Sequence, residues 1–317
     1  MSDAAWPRKV AVVGAGTMGA GIAQVFAAHG VPTVVVDASP ELSEEARARA
    51  VELLARLEAA GSVESGATAT AKRHLSAAAT IAAAVGDADL VVEAVFERPD
   101  VKTAAYEEIE AAATPDTVIA TNTSSIPIAE LALALRRPGR FLGVHWFVPP
   151  LLVPCVEVIP TASTEPGVVE KVLGALTALG KTAVAVGDGP GFVANRIQFA
   201  MFREAARIVE DGVATPEQVD EIVRSSFGFR LPFFGPFTIA DMAGLDVYAD
   251  IFDTLERGLG EGFAAPAVLR DHVARGEYGV KAGRGFLELS QDEARELVDR
   301  RDRAYVALAR LRAEGES

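Results

Sequence analysis

The clearest chemistry in the sequence comes from a histidine and a carboxylate that lie close together along the chain. His145 ends an apolar run over residues 141–145, and Glu157 lies twelve residues later inside the apolar run 156–159. A carboxylate in an apolar strand is costly to bury unless another group pairs with it. Where the two side chains meet, Glu157 fixes the imidazole tautomer and raises its basicity, which makes His145 a candidate general base.

A purely structural interpretation of this pair is equally open from the two residues alone. His145 is then an ordinary core histidine, and Glu157 faces water from an edge strand. Three prolines between them, Pro149, Pro150 and Pro154, favour a turn in the intervening chain. The pairing is therefore a hypothesis that depends on how the two apolar runs are arranged.

A glycine-rich turn near the N-terminus has the spacing of a phosphate-binding loop. The apolar run 10–13 leads into Gly14-Ala15-Gly16-Thr17-Met18-Gly19, and a helical stretch follows. In this GxGxxG pattern Gly14 makes the tight turn, Gly16 lets a pyrophosphate approach the backbone, and Gly19 lets helix and strand pack closely. Glycines also serve ordinary turns, so a strand–turn–helix without a nucleotide is the competing interpretation.

An acidic residue at the end of the second apolar run favours NAD as the nucleotide. Asp37 follows the run 34–36 and lies 21 residues after Gly16. A carboxylate there accepts hydrogen bonds from both ribose hydroxyls and repels the 2′-phosphate of NADP.

Two further polar residues are candidates for contacts with a substrate. Ser124 belongs to the segment Asn122-Thr123-Ser124-Ser125, which follows a short apolar run. Ligands bind at the carboxyl ends of parallel strands, although Ser124 or Ser125 can equally cap the helix predicted after Pro127. Asn195 lies in the first turn of a helix predicted over 192–211, where an ordinary solvent-facing asparagine is the alternative.

These residues are positioned by two predicted domains. Residues 1–187 alternate short apolar runs with alanine-rich helical stretches, which is typical of a parallel sheet covered on both faces. Residues 188–317 have helical periodicity without a series of strands. We therefore predict an α/β domain over 1–187 and an all-helical domain over 188–317. The predicted elements are helices at 17–29, 40–60, 216–225, 244–259, 266–275 and 291–315, and strands at 10–13, 34–36, 90–93, 118–120, 141–145, 156–159 and 182–186.

The composition excludes several classes of protein. The chain has 317 residues, of which 50% are hydrophobic and 23% charged, and its net charge is −14. The composition is globular, and so acidic a chain disfavours nucleic-acid binding. No apolar run approaches the roughly 18–20 residues that span a bilayer, and no secretory signal is evident. Four histidines and the single Cys155, without CxxC or HxxxH spacing, disfavour a metal site. We expect a soluble cytoplasmic enzyme with a small-molecule substrate.

Eight sequence blocks, in order, resemble the 3-hydroxyacyl-CoA dehydrogenase family over about residues 8–290. The blocks are GAGTMG at 14–19, VVEAVFE at 91–97, NTSS at 122–125, GVHWFVPP at 143–150, VEVIP at 156–160, PGFVANR at 190–196, GPFTIADMAGLD at 235–246 and KAGRGF at 281–286. The resemblance implies a Rossmann-type doubly wound sheet, followed by an all-helical domain that dimerises. It implies NAD-dependent oxidation of a 3-hydroxyacyl-CoA to a 3-ketoacyl-CoA, a reaction of fatty acid metabolism.

The resemblance also implies roles for individual residues. The catalytic pair of the family falls on His145 and Glu157, its active-site serine on Ser124 and its asparagine on Asn195. The cofactor contacts fall on Gly14, Gly16, Gly19, Asp37, Glu97, Lys102, Ser124 and Lys281, with Thr17 and Met18 in the same glycine-rich turn.

Two departures from the family pattern leave the substrate open. Val148 replaces an asparagine that contacts the cofactor in the family. The region 53–70, where the family binds CoA with a serine and a lysine, has no lysine. Candidate substitutes for that lysine are Arg47, Arg49, Arg56, Lys72 and Arg73. The alternatives are a free small hydroxy acid or a carrier-bound acyl group, as in carnitine or gulonate dehydrogenases, and a non-catalytic protein like the lens crystallins of this family.

Five phenylalanines crowded around glycines and prolines support the expected dimer. They are Phe227, Phe229, Phe233, Phe234 and Phe237. So many aromatic side chains must be covered by the local core, by the substrate or by a partner subunit.

Overall fold

A computed structural model describes residues 6–315 of the chain. The contacts between residues group the chain into two compact units, with the division between Met201 and Phe202. The domain boundary at residue 187 stays a prediction. No helix within residues 6–315 is both long enough and apolar enough to cross a membrane.

The first unit contains a twisted sheet of eight strands. The strands are β1 Val10–Val13, β2 Thr33–Val36, β3 Leu75–Ala77, β4 Leu90–Glu93, β5 Val118–Thr121, β6 Phe141–Trp146, β7 Cys155–Pro160 and β8 Thr182–Ala185. Their order in the sheet is β3-β2-β1-β4-β5-β6-β7-β8. The order reverses between β1 and β4, which creates the crevice at the carboxyl ends of the strands where open α/β sheets bind ligands.

Helices cover both faces of this sheet. They are α1 Thr17–Ala28, α2 Pro40–Ala59, α3 Ala67–His74, α4 Ile81–Val85, α5 Pro99–Ala112, α6 Ile128–Ala132, α7 Pro166–Ala178 and α8 Ala194–Glu210, which runs past the division. Alternate residues of β1 enter different cores, Val10 and Val12 on one face and Ala11 and Val13 on the other. The Rossmann-type fold is confirmed.

The sheet differs in one respect from the parallel arrangement that we expected. β6 and β7 pair antiparallel, while the other neighbouring strands are parallel. A proline-containing loop of eight residues, 147–154, joins the two strands without a crossover helix. Sequence analysis also missed β3, which has only three residues and lies at the edge of the sheet, and it gave no bounds for α3, α4, α5 and α7.

The second unit is helical, as expected. Its helices are α9 Pro216–Ser225, α10 Pro236–Ala243, α11 Leu245–Leu259, α12 Ala267–Ala274 and α13 Gln291–Gly315, and α8 ends within it. Part of the phenylalanine cluster is covered locally, because Phe229, Phe233 and Phe234 surround Tyr305 of α13 with ring centroids 5.6–6.4 Å apart.

Candidate active site

The antiparallel pairing of β6 and β7 brings the histidine and the carboxylate together. In the register of the two strands His145 lies directly opposite Glu157. His145 Nδ1 lies 2.8 Å from Glu157 Oε2, and both residues are 3% exposed. A carboxylate oxygen accepts hydrogen bonds, so Nδ1–H is the donor to Glu157, and the lone pair of a neutral imidazole lies on Nε2.

Glu157 is held from a second side by the chain that leads into α8. Its Oε1 accepts hydrogen bonds from the backbone N–H groups of Val193, at 3.1 Å, and Ala194, at 2.9 Å. Both carboxylate oxygens of this buried side chain therefore have hydrogen-bond donors. The imidazole lies between the rings of Phe147 and Phe192, at centroid distances of 4.6 and 5.5 Å. No hydrogen bond to Nε2 comes from residues 6–315, so this nitrogen is the acceptor left for a substrate proton.

Ser124 and Asn195 lie together, with Glu97 beside them. Asn195 Nδ2 donates to the backbone oxygen of Ser124 at 2.9 Å. Glu97 Oε1 accepts from Thr123 Oγ1 at 2.5 Å, from the Ser124 N–H at 2.8 Å and from the Ser125 N–H at 3.2 Å. The exposed Ser124 side chain is free to contact a ligand, whereas its backbone is fixed by a carboxylate 27 residues away along the chain.

The helix after Pro127 is not capped by Ser124 or Ser125. Pro127 is the N-cap residue of α6 and has no side-chain cap. Asp188, 60 residues away, accepts instead from the N–H groups of Ile128, at 3.1 Å, and Ala129, at 2.8 Å. The capping interpretation of the serines is therefore wrong, because a long-range partner supplies the cap.

The glycine-rich turn borders the cavity where the sequence predicts a dinucleotide, which we call the dinucleotide cavity. The cavity has a volume of about 680 Å³. Its lining includes Gly14, Gly16, Thr17, Met18, Asp37 and the 80% exposed Phe96. A Cβ at Gly16 would have no neighbour within 4 Å, so bare backbone faces open space there. Gly16 also offers no side-chain acceptor to the first N–H groups of α1, and these groups suit a phosphate.

The other two glycines of the motif serve the packing of the turn. Gly14 has a φ of +89°, and a Cβ there would lie 2.6 Å from the backbone of Ala94. A Cβ at Gly19 would lie 1.8 Å from the Gly14 carbonyl oxygen, so only glycine lets α1 approach the turn this closely.

Asp37 lies at the edge of the same cavity. Its carboxylate accepts from the N–H groups of Ala15 and Ala38, both at 2.7 Å. These contacts fix the carboxylate at the end of β2, and each oxygen retains capacity for a further hydrogen bond from a ribose hydroxyl.

The two lysines assigned to the cofactor lie in different surroundings. Lys102 is fully buried, with its Nζ 2.8 Å from Glu93 and 3.4 Å from Glu97. Lys281 belongs to the second unit, where its Nζ pairs with Asp246 at 2.6 Å.

A second cavity of about 390 Å³ lies on the first unit. Thr17 lines both cavities; Arg49, Arg56, Leu53 and Val148 line the second. Val148 is 63% exposed, and the lining of the dinucleotide cavity does not include it. The valine that stands at 148 in place of the family's asparagine is thus part of the wall of the second cavity.

Sequence analysis missed two polar groups that shape these sites. Glu93 ends an apolar run as Glu157 interrupts one, and the same signal identifies it as a carboxylate in need of partners. Lys181 is buried, and its amine donates to the carbonyl oxygens of Pro150, Leu151 and Val153 at 2.5–3.2 Å. Burial lowers the pKa of this amine. Nothing in the local sequence around Lys181 predicts its contacts with the loop over residues 147–154.

Comparison with known proteins identifies the family. The NAD binding domain model of 3-hydroxyacyl-CoA dehydrogenase matches residues 9–189, and the model of the C-terminal domain matches residues 191–289. A 5-formyl-3-hydroxy-2-methylpyridine 4-carboxylate 5-dehydrogenase of Mesorhizobium japonicum is 33% identical over 305 residues, covering 96% of this chain and 98% of that protein.

Two further relatives carry the name of the family. A probable 3-hydroxybutyryl-CoA dehydrogenase of Bacillus subtilis is 36% identical over 285 residues, covering 90% of this chain and 98% of that protein. The crystal structure of a 3-hydroxyacyl-CoA dehydrogenase of Archaeoglobus fulgidus matches with a TM-score of 0.79 and 32% identity, covering 95% and 99% of the two chains. The chain therefore belongs to the 3-hydroxyacyl-CoA dehydrogenase family and is an oxidoreductase that acts on a CH–OH group with NAD as its cofactor.

Proposed function

We propose that the protein oxidises a 3-hydroxyacyl-CoA to the 3-ketoacyl-CoA, and catalyses the reverse reaction, with His145 and Glu157 as its catalytic pair. The observation that carries the proposal is the buried contact of 2.8 Å between His145 Nδ1 and Glu157, which leaves Nε2 as a proton acceptor. A fixed tautomer beside a carboxylate is the arrangement that a general base requires.

The protein's own groups move the proton and stabilise charge in this reaction. NAD, when bound, would supply the acceptor for the hydride that leaves the carbinol carbon. His145 Nε2 takes the hydroxyl proton, and Glu157 stabilises the resulting imidazolium. The hydroxyl of Ser124 and the amide of Asn195 bind the oxygen that becomes the carbonyl. The rings of Phe147 and Phe192 keep water away from the imidazole.

The residues that line the dinucleotide cavity would bind the cofactor. The N–H groups at the start of α1 and the backbone of Gly16 receive the pyrophosphate. Thr17 and Met18 line the same wall, and Asp37 accepts from the adenosine ribose. Glu97 and Lys102, whose charged groups lie 3.4 Å apart, complete the cofactor contacts of the first unit that the resemblance implies.

A second candidate substrate is a small free hydroxy acid, and the charges on α2 favour it. CoA carries several negative charges, yet each arginine of α2 already lies beside a glutamate. Arg47 pairs with Glu44, Arg49 lies 3.9 Å from Glu45, and Arg56 lies 2.6 Å from Glu52. With five glutamates and three arginines, this helix offers little to a polyanion. The similar dehydrogenase of Mesorhizobium japonicum is named for a pyridine carboxylate, which has no CoA.

Substrate oxidation followed by NADH absorbance tests both candidates. We expect turnover of 3-hydroxybutyryl-CoA, and of acetoacetyl-CoA with NADH in reverse, to exceed that of carnitine, gulonate and pyridine carboxylates. Faster turnover of a free acid selects the second candidate. His145→Gln is the control for each active substrate, and activity that survives it would remove His145 as the base. No turnover of any substrate, with NAD still bound, would favour the non-catalytic alternative.

We further propose a homodimer in the cytoplasm that serves fatty acid metabolism. The dimer is supported by apolar side chains left uncovered in a single chain. Phe202 of α8 is 67% exposed and Ile222 of α9 is 60% exposed. α9 buries none of its residues, and α11 buries only Leu245. Uncovered apolar helix faces of this kind mark surfaces that a partner covers.

A further inference from the structure

A buried lysine contacts the loop that joins the strands of the catalytic pair, and it takes no part in the proton transfer. This loop, residues 147–154, connects β6, which carries His145, to β7, which carries Glu157. Lys181 immediately precedes β8 and is 8% exposed. Its Nζ donates at 2.5–3.2 Å to three carbonyl oxygens of the loop, those of Pro150, Leu151 and Val153.

The composition of the loop explains why it needs donors from elsewhere. All eight of its side chains are apolar, and three of its residues are prolines, which have no backbone N–H. The N–H groups of Leu152 and Val153 both donate to Pro149, at 3.1 and 3.0 Å. Carbonyl groups that are removed from water need hydrogen-bond donors. An ammonium group has three N–H donors, one for each of the carbonyl groups that Lys181 contacts.

We propose that Lys181 is a positioning residue whose ammonium group fixes the loop 147–154, and through it the Phe147 ring beside His145 and the wall of the second cavity. The centroids of the Phe147 and His145 rings are 4.6 Å apart, and residues 148–151 line the second cavity. The loop also packs closely on α1, because a Cβ at Gly21 would lie 2.9 Å from Cδ of Pro150. The effect on turnover rests on the proposed function, in which His145 is the base, whereas the hold on the loop does not.

The charged form of Lys181 is the form that can serve all three carbonyl groups. A neutral amine has only two N–H donors, so one carbonyl group would lose its partner. Burial lowers the pKa of Lys181, and no charged group contributes to this shift. The Trp146 ring faces the amine, with its centroid 5.8 Å from Nζ. The titratable groups on the neighbouring elements are His145 of β6, Cys155 and Glu157 of β7, and Glu170 and Lys171 of α7. Within residues 6–315 none of them forms an ion pair with Lys181.

Three variants test the proposal. Lys181→Met keeps most of the length of the side chain and removes its donors. Lys181→Arg keeps the donors and a charge that is not lost on titration in proteins. Lys171→Met removes an exposed lysine of α7 and is the matched control.

Lys181→Met should lower turnover without weakening the cofactor. Calorimetry should give an NAD Kd close to that of the wild type, because the lining of the dinucleotide cavity includes no residue of the loop. kcat at saturating NAD should fall by about 10-fold to 10²-fold, the scale of a small misplacement beside the base. The amides of Leu152 and Val153 should exchange faster with solvent. Lys171→Met should change none of these.

The pH dependence separates the ammonium group from a packing role. The ammonium form predominates below its pKa, so the loop should be held at lower pH and released as the pH rises through that value. In the wild type, kcat and the protection of the Leu152 and Val153 amides should therefore fall together, at a pH below the ordinary pKa of a lysine, with the amides of β1 as the reference. Lys181→Arg should exceed Lys181→Met in kcat at neutral pH and should move this alkaline fall to higher pH.

Three outcomes would overturn the proposal. The first is a folded Lys181→Met with wild-type kcat and wild-type exchange at Leu152 and Val153. The second is a folded Lys181→Arg whose alkaline fall stays at the wild-type pH. The third needs no variant to fold: wild-type protection of the two amides that persists up to the ordinary pKa of a lysine. Exchange needs no turnover, so an enzyme inactive on every substrate would refute the proposed function while the exchange measurements still decide this inference.

Discussion

His145 and Glu157 act through a single proton, so their contributions should not add. His145→Gln removes the base and should lower kcat by about 10²–10⁴-fold. Glu157→Gln loses orientation and charge stabilisation, and the double variant should be little worse than His145→Gln alone. Fully additive losses, with NAD affinity unchanged in all three variants, would show that Glu157 does not act through His145.

Asp37 should decide the choice between the two nicotinamide cofactors. Asp37→Asn keeps an oxygen that can accept from the N–H of Ala15 but removes the charge that the ribose hydroxyls bind and that a 2′-phosphate avoids. A hydrogen bond to a charged group contributes about 1.5–3 kcal/mol, so the NAD Kd should rise at least about tenfold. The preference for NAD over NADP should narrow in parallel titrations. Equal wild-type turnover with NADP would contradict this role.

Among the elements, the unit β1–turn–α1 contains two glycines whose replacement should affect different properties, NAD binding for Gly16 and thermal stability for Gly19. Gly16 has a φ of −63° and free space where a Cβ would lie, so Gly16→Ala should keep the wild-type Tm. The added methyl group faces the cavity, so NAD binding should weaken. A Cβ at Gly19 would meet the Gly14 carbonyl, so Gly19→Ala should lower the Tm. Calorimetric scans and NAD titrations of both variants provide the comparison, and a destabilised Gly16→Ala would contradict the assignment.

At the scale of the whole molecule, we expect two chains to cover the apolar faces of the second unit. Light scattering at micromolar concentration should give twice the chain mass of 33.2 kDa. Ile222→Glu should reduce that mass, because it adds a charge to the exposed apolar face of α9. Leu133→Glu is the control. Leu133 follows α6 in the first unit and is 86% exposed, so this variant should leave the mass unchanged. A wild-type monomer would refute the dimer.

Local sequence patterns specify most of the strands and the chemistry that several elements carry. Apolar runs bounded by glycine, proline or a polar cap place seven of the eight strands, and Ser39 caps α2 where Ser39-Pro40 predicts it. The sequence predicted the roles of the GxGxxG turn and Asp37 because the groups that they pack against or bond to lie on adjacent elements. Such signals depend on spacing along the chain, which a sequence displays directly.

Contacts between groups that are distant along the chain depend on how the elements pack. The antiparallel register of β6 and β7 places His145 opposite Glu157, and the local sequence leaves an edge-strand position for Glu157 equally open. The order of β4 and β5 in the sheet brings Glu97 to Ser124, and the segment after β8 brings Asp188 to α6. Burial decides that Lys102 faces two carboxylates and not solvent. Hydrophobic periodicity specifies the face that an element buries, whereas strand order and register follow from packing the whole sheet at once.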